Sequence, residues 1–339
     1  MKFLVIRFSS IGDIVLTTPV IRCLKQQVPG AVVHFLTKKS FRGILETNPY
    51  VDKVILLSNS WELMMHELQI EEYDCIIDLH HNLRTWKIKH NLRGIKSLSF
   101  NKLNIQKWLL TALKINRMPA IHIVDRYLET VKSLGVINDG KGLDYFIPLK
   151  DKIKDKDLPT SHLFGYIGVV IGAALSTKKL PISKLQELCD KIKYPIVLLG
   201  GKEDQLAGNE IASIDPIRIY NSCGRFSLNE SADLVLRAKF LITHDTGLMH
   251  MAAAFKKPIL SVWGNTVPQF GMDAYYGEDT PNKDIKFEVL NLSCRPCSKI
   301  GYGKCPRKHF KCMQLQDINQ MATTASQQVL YKKEEVPHI

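Results

Sequence analysis

The feature that most constrains this chain is an alternation of short apolar runs with amphipathic stretches, carried through twice with an irregular charged interval between. Runs of strand length fall near residues 2–7, 32–36, 53–57, 74–79 and 95–99, and again near 166–171, 195–199, 217–220, 239–243, 258–263 and 286–290. Stretches with helical spacing lie near 13–27, 60–70, 103–114 and 122–134, then near 181–192, 203–213, 227–237 and 247–255. Strands that are apolar along their whole length need cover on both faces, which a parallel sheet between two helical layers provides. The interval "NDGKGLDYFIPLKDKIKDKDLPTS" is rich in charge, Gly and Pro and lacks a period, so it reads as a linker. The expected architecture is α/β, with Rossmann-like domains at residues 1–150 and 165–339, a linker at 151–164 and an interdomain cleft. Ligands in such sheets bind at the carboxyl ends of the strands. A chain of 339 residues is long enough for two such cores.

No apolar run approaches the roughly 20 residues of a membrane span, and "MKFLVIRF" has too short an apolar core for a signal peptide. A cytoplasmic protein is therefore expected. The formal charge of +13 suggests an anionic partner. Between Asp78 and Asp125 there is no acidic residue, whereas Arg84, Lys87, Lys89, Arg93, Lys96, Lys102, Lys107, Lys114 and Arg117 fall inside, with Trp86 and Trp108. This field suits phosphate groups or an anionic membrane face; the alternative is a solvated face with core tryptophans. Without an RNA- or DNA-binding module, nucleic acid is not expected.

Chemistry is expected at strand-to-helix turns. In "FSSIGDIVLTTP", Ser10, Gly12 and Asp13 follow the first strand, and Ser10 or Asp13 can cap the helix behind it. The turn is neither a Walker loop nor a GxGxxG dinucleotide turn, which disfavours an oxidoreductase. In "AKFLITHDTGLMHMAAAFKKPILSVWGNT", Asp245, Thr246 and Gly247 open an Ala-rich helix whose free N–H groups suit a diphosphate, and His250 lies one turn further in. "IGAALSTKKLP" supplies the hydroxyls of Ser176 and Thr177 and the adjacent Lys178 and Lys179. In "VLLGGKEDQ", Glu203 or Asp204 follows a glycine pair, and either carboxylate can favour the positive end of the helix behind it. "CRPCSKIGYGKCPRKHFKC" places Cys294, Cys297, Cys305 and Cys312 within reach of a tetrahedral zinc site, the alternatives being free thiols or disulfides. The scattered Cys23, Cys75, Cys189 and Cys223 read as small core residues.

"RFSSIGDIVLTTPVIRCLK" with "DTGLMHMAAAFKKPILSVWGNT", in that order and in separate domains, closely resembles glycosyltransferase family nine, the ADP-heptose:lipopolysaccharide heptosyltransferases. "DLHHNLRT" is similar to that family's segment after its fourth strand. The resemblance implies a GT-B fold and inverting, metal-independent transfer of a heptose from ADP-heptose to a lipopolysaccharide core acceptor, with no cofactor required for catalysis; a structural zinc stays one alternative for the cysteines. It implies Asp13 as the general base. Donor contacts would come from Ser176, Thr177, Lys178, Glu203, Asp245, Thr246, Gly247 and His250, and acceptor contacts from Ser10, Gly12, Asn82, Arg84 and Lys87 in the amino-terminal domain. Leu180 stands where the family usually has Trp, which leaves the register between Lys178 and Lys179 open. The partners implied are the nucleotide sugar, a lipid-linked phosphorylated oligosaccharide and, peripherally, the inner face of the cytoplasmic membrane. The competing readings are a family member using another nucleotide sugar for a different surface glycan, and a non-catalytic nucleotide- or nucleic-acid-binding protein.

Overall fold

Lys2–Ile6 (β1), Val32–Thr37 (β2), Lys53–Leu56 (β3), Cys75–Asp78 (β4) and Lys96–Ser99 (β5) pair in parallel in the order β3-β2-β1-β4-β5. This computed structural model describes residues 1–278, 280–281 and 283–330. A second parallel sheet contains Ile167–Val170 (β6), Ile196–Leu199 (β7), Ile219–Asn221 (β8), Phe240–His244 (β9), Ile259–Trp263 (β10) and Asp284–Glu288 (β11). Its order is β11-β10-β9-β6-β7-β8. Both sheets are doubly wound, and each reverses direction once, between β1 and β4 in the first and between β6 and β9 in the second. At such a reversal neighbouring crossovers leave to opposite faces, opening a crevice beyond the strand ends. All eleven strands expected from the apolar runs form.

Helix boundaries differ in instructive ways. The helix expected over 13–27 is two, Ile11–Val15 and Thr18–Gln27. Pro19 has no N–H to return to Val15, and the Thr18 hydroxyl bonds the Val15 carbonyl instead at 2.8 Å, so the ladder breaks. Helix Leu83–Asn91, unforeseen in the sequence, is capped by Asn82, whose side-chain oxygen accepts from the Thr85 N–H at 3.0 Å. Helix Ile318–Leu330 was also unforeseen. Its Met321 and Ala325 are fully buried in the core that holds Leu185 and Leu188. Each large aliphatic side chain buried this way contributes about 1.5–3 kcal/mol.

The chain forms two compact units. The first comprises Met1–Asn104, Pro119–Phe146 and Tyr275–Pro281; the second comprises Ile105–Met118, Ile147–Ala274 and the described residues beyond 281. The boundary expected at residue 150 thus falls at Phe146, with two excursions. Ile105–Met118 joins the second unit because Leu110 and Met118 pack with Val267 and Phe270, and because Lys114 Nζ donates to the Pro296 carbonyl at 2.6 Å. The interval expected to be a linker also belongs to the second unit: Ile153 and Leu158 are buried, and His162 Nε2 lies 3.1 Å from the carbonyls of Ile196 and Arg218. Among the described residues no helix is long and apolar enough to cross a membrane. Cys23, Cys75, Cys189 and Cys223 are fully buried, as expected of small core residues.

Candidate functional site

In the first unit, β1 runs into Arg7 and Phe8, and the following turn starts the short helix that carries Asp13 at the switch between β1 and β4. Asp13 Oδ1 pairs with Arg7 Nη2 at 2.7 Å, and Oδ2 accepts from the Ser10 N–H at 3.0 Å and the Ser10 hydroxyl at 2.9 Å. Burial pushes the Asp13 pKa up, but the Arg7 guanidinium and the Ser10 bonds outweigh it, and the net direction is down from 3.8. The carboxylate is therefore ionised at neutral pH while its side chain stays 20% exposed. Arg7 is held in turn by the Leu79 carbonyl at 2.6 Å, the Ser9 carbonyl at 2.8 Å and the Tyr127 hydroxyl at 3.1 Å.

β4 brings a second, fully buried carboxylate to the same edge. Asp78 Oδ1 accepts from the N–H groups of His80 and His81 at 3.1 and 2.6 Å, and Oδ2 pairs with Lys89 Nζ at 2.9 Å. His80 packs its ring 4.8 Å from Phe8. Burial, with Arg7 and Lys102 nearby, lowers its pKa to about 4, so it is neutral at pH 7. Arg7, Asp78 and His80 fall within the stretches that carry the family resemblance but were given no role from the sequence, and Tyr127 was not singled out; the available signal was a charged residue, Arg7, closing the first apolar run.

The expected acceptor contacts separate by geometry. Ser10 orients Asp13, and Gly12 is buried beneath it. Asn82 spends its side chain on the cap of Leu83–Asn91. Arg84 is exposed over the Phe8 ring at 5.9 Å, whereas Lys87 lies over Trp61 at 4.2 Å. Trp86 and Trp108 are 60% and 55% exposed, so neither is a core tryptophan. The basic field is divided as well: residues 84–102 lie in the first unit and Lys107, Lys114 and Trp108 in the second.

In the second unit three turns converge on Asp245, at the end of β9 and hence at that sheet's switch point. Lys178 Nζ, from the turn after β6, meets Asp245 Oδ2 at 2.7 Å, and the Thr266 hydroxyl donates to the same oxygen at 3.0 Å. Lys179 points elsewhere, pairing with the buried Asp204 at 2.6 Å. Asp204 also accepts from the Gly201 N–H at 3.0 Å, which leaves the exposed Glu203 as the acid on that rim. Thr246 occupies the N-cap position of helix Gly247–Ala254 without a side-chain capping bond, so that helix start keeps donors for a ligand. His250 is buried on the helix. His244, at the end of β9, accepts from the Leu180 N–H at 2.9 Å; burial and Lys179 lower its pKa to about 4. Leu180, where the related family usually has Trp, is buried in the core.

One expectation needs correction. Thr177 is only 2% exposed, and its hydroxyl is committed to the Tyr302 backbone, so it is not presented to a ligand; Ser176 is the exposed hydroxyl of that turn. Cys294, Cys297, Cys305 and Cys312 do line one small cavity of about 10 Å³ as free thiols. Among the described residues, however, no group of three or more His, Cys, Asp or Glu is arranged to hold a metal ion. Burial and the neighbouring cysteines push the Cys312 thiol up to about 11.

Two doubly wound units, each with charged groups gathered at its switch point, are the GT-B fold of a nucleotide-sugar-dependent glycosyltransferase. Residues 61–301 match the family described as Glycosyltransferase family 9 (heptosyltransferase), and the chain belongs to that family. It is 27% identical to lipooligosaccharide heptosyltransferase 2 of Haemophilus influenzae, over 89% of this chain and 92% of the relative. The solved structure of E. coli ADP-heptose lps heptosyltransferase II shares the fold with a TM-score of 0.75 at 19% identity, covering 98% of this chain and 100% of that one. E. coli heptosyltransferase WaaC with ADP gives 0.68 at 19% identity, over 97% and 100% of the two chains.

Proposed function

We propose that this glycosyltransferase moves a heptose from ADP-heptose to a lipopolysaccharide core hydroxyl with inversion, using Asp13 as the general base. The observation that carries the reading is the Asp13 carboxylate, ionised and partly exposed at the switch point of the first unit. The acceptor oxygen attacks the anomeric carbon, its proton passes to Asp13, and the bond from that carbon to the diphosphate oxygen breaks. Such a base contributes about 10²- to 10⁴-fold in rate. The pairing with Arg7 keeps the carboxylate charged but also makes it a weaker base, so stabilisation of the leaving group has to share the work.

That stabilisation is assigned to the second unit. Lys178 is a cation held at the strand end by Asp245, and the N–H groups at the start of Gly247–Ala254 favour a diphosphate. Exposed Glu203 is assigned to the ribose diol. The names of the relatives support the heptose and the core acceptor, and the ADP in the WaaC structure supports the nucleotide. The scheme uses no metal. Trp86 and Leu83, exposed on a helix that also carries Arg84 and Lys87, suit peripheral contact with an anionic membrane face.

The test is ADP release from ADP-heptose by the purified protein with a de-acylated inner-core acceptor, without divalent metal. Acceptor-dependent release that UDP- and GDP-sugars do not support is the expected outcome. Release with another nucleotide sugar in its place overturns the donor assignment, and release that requires an added metal overturns the scheme.

A further inference from the structure

Asp245, Lys178 and Thr266 make up the donor side of the proposed site, and beyond the bonds within their own turns both flanks of the cluster are tied to the segment Cys294–Tyr302. On the Lys178 side, the Thr177 N–H donates to the Tyr302 carbonyl at 3.1 Å. The Thr177 hydroxyl donates to that carbonyl at 3.0 Å and accepts from the Tyr302 N–H at 2.8 Å. Asn265, with its amide oriented to satisfy both ends, donates to the Thr177 hydroxyl and carbonyl at 3.1 and 3.0 Å and accepts from Gly301 at 3.3 Å. On the Thr266 side, Arg295 donates to the carbonyls of Gly264 and Thr266 and pairs with Glu288 at 2.7 Å. The Arg295 side chain is 6% exposed, so these bonds form out of water, where an unmade bond is costly.

The fit between segment and turn is close. Gly301 has φ +112°, and a Cβ there would lie 3.1 Å from Leu175 and 3.3 Å from the Thr177 hydroxyl. Thr177 and Asn265 also line the cavity on which the four cysteines converge.

We infer that Thr177 is a positioning residue: through its bonds to Tyr302 it locks the Ser176–Lys178 turn so that the Lys178 ammonium stays at Asp245, ready for a diphosphate. Arg295 does the same for Thr266. The cysteine-rich segment is then a clamp on the donor site, and its Gly301 and Arg295 matter for nucleotide affinity through the turns they hold. This rests on the reading that Lys178 binds the donor diphosphate.

The experiment is calorimetric titration of the full chain with ADP, alongside thermal unfolding without ligand, for wild type, Thr177→Val, Thr177→Ser, Lys178→Ala and the double variant Thr177→Val/Lys178→Ala. Thr177→Val should weaken ADP about tenfold, and Thr177→Ser, which keeps the hydroxyl, should recover most of it. The double variant should bind ADP no more weakly than Lys178→Ala alone, because both changes act through one ammonium. Gly301→Ala, which presses on the turn from the segment side, repeats the test should Thr177→Val fail to fold. If Lys178→Ala weakens ADP but Thr177→Val and Gly301→Ala do not, or if the losses add in the double variant, the clamp is refuted. If Lys178→Ala itself leaves ADP affinity unchanged, it is the donor-site reading that fails.

Discussion

The two aspartates at the two switch points are wired differently. Asp13 takes its cation from Arg7 and its hydrogen bonds from Ser10, all within six residues of sequence. Asp245 takes its cation from Lys178, 67 residues away, and its hydroxyl from Thr266, 21 residues away. A locally wired carboxylate meets its own partners along one strand and turn, with distant groups such as Leu79 and Tyr127 only holding the cation behind it, and stays partly open to a substrate. One wired across a sheet is organised only when three turns are packed together, and it serves to hold another group in place. The first arrangement suits a base, the second an anchor for a cation.

The largest test of that contrast is Asp13→Ala, expected to cut acceptor-dependent ADP release by about 10²- to 10⁴-fold with little change in ADP affinity. Equal turnover by both proteins would end the assignment. Next is Arg7→Met, which leaves Asp13 without its cation and should cost about 2–3 kcal/mol, the low side for a broken buried pair because Asp13 keeps some exposure. The pH dependence has a definite sign. A carboxyl whose folded pKa lies below its unfolded value contributes stability above the unfolded value and loses it as pH falls through the folded one. Arg7→Met should therefore move both the acid unfolding transition attributed to Asp13 and the acidic limb of activity upward in pH. An unchanged limb would separate the Arg7 pair from catalysis.

On the distant wiring, Lys178→Ala should weaken ADP about tenfold, with a loss of stability that is softened because Asp245 keeps the Thr266 hydroxyl as a partner. A large loss of thermal stability with unchanged ADP affinity would make the pair structural. The smallest expected effect is that of His244. Its folded pKa of about 4 lies below 6.5, so it contributes stability above pH 6.5 that is lost as pH falls toward 4. His244→Gln keeps an acceptor for the Leu180 N–H and should flatten the unfolding midpoint over that window by on the order of 1 kcal/mol. An unaltered slope would place the acid sensitivity elsewhere.

Much of the site was legible because the chemistry of strand-to-helix turns is local. Asp13, Lys178, Glu203, Asp245, Thr246 and Gly247 stand at the turns where the apolar periods change, and the structure places each at a strand's carboxyl end. Thr177 was misjudged because a hydroxyl in a turn looks the same in sequence whether it faces a ligand or, as here, the backbone of Tyr302 125 residues away. Helix Leu83–Asn91 carried its cap in Asn82, a signal hidden by the run of basic residues.

By itself the sequence determined the eleven strands, the doubly wound character of both halves and the turns that carry charge, because apolar period and turn chemistry act over a few residues. Only the tertiary structure decided that Lys178 rather than Lys179 meets Asp245, that Ile105–Met118 packs with the second unit, and that Tyr302 of the cysteine-rich segment bonds Thr177 in the Ser176–Lys178 turn. Those outcomes depend on pairings between residues tens to more than a hundred positions apart, which no local pattern encodes and which form only when the sheet brings its strand ends together.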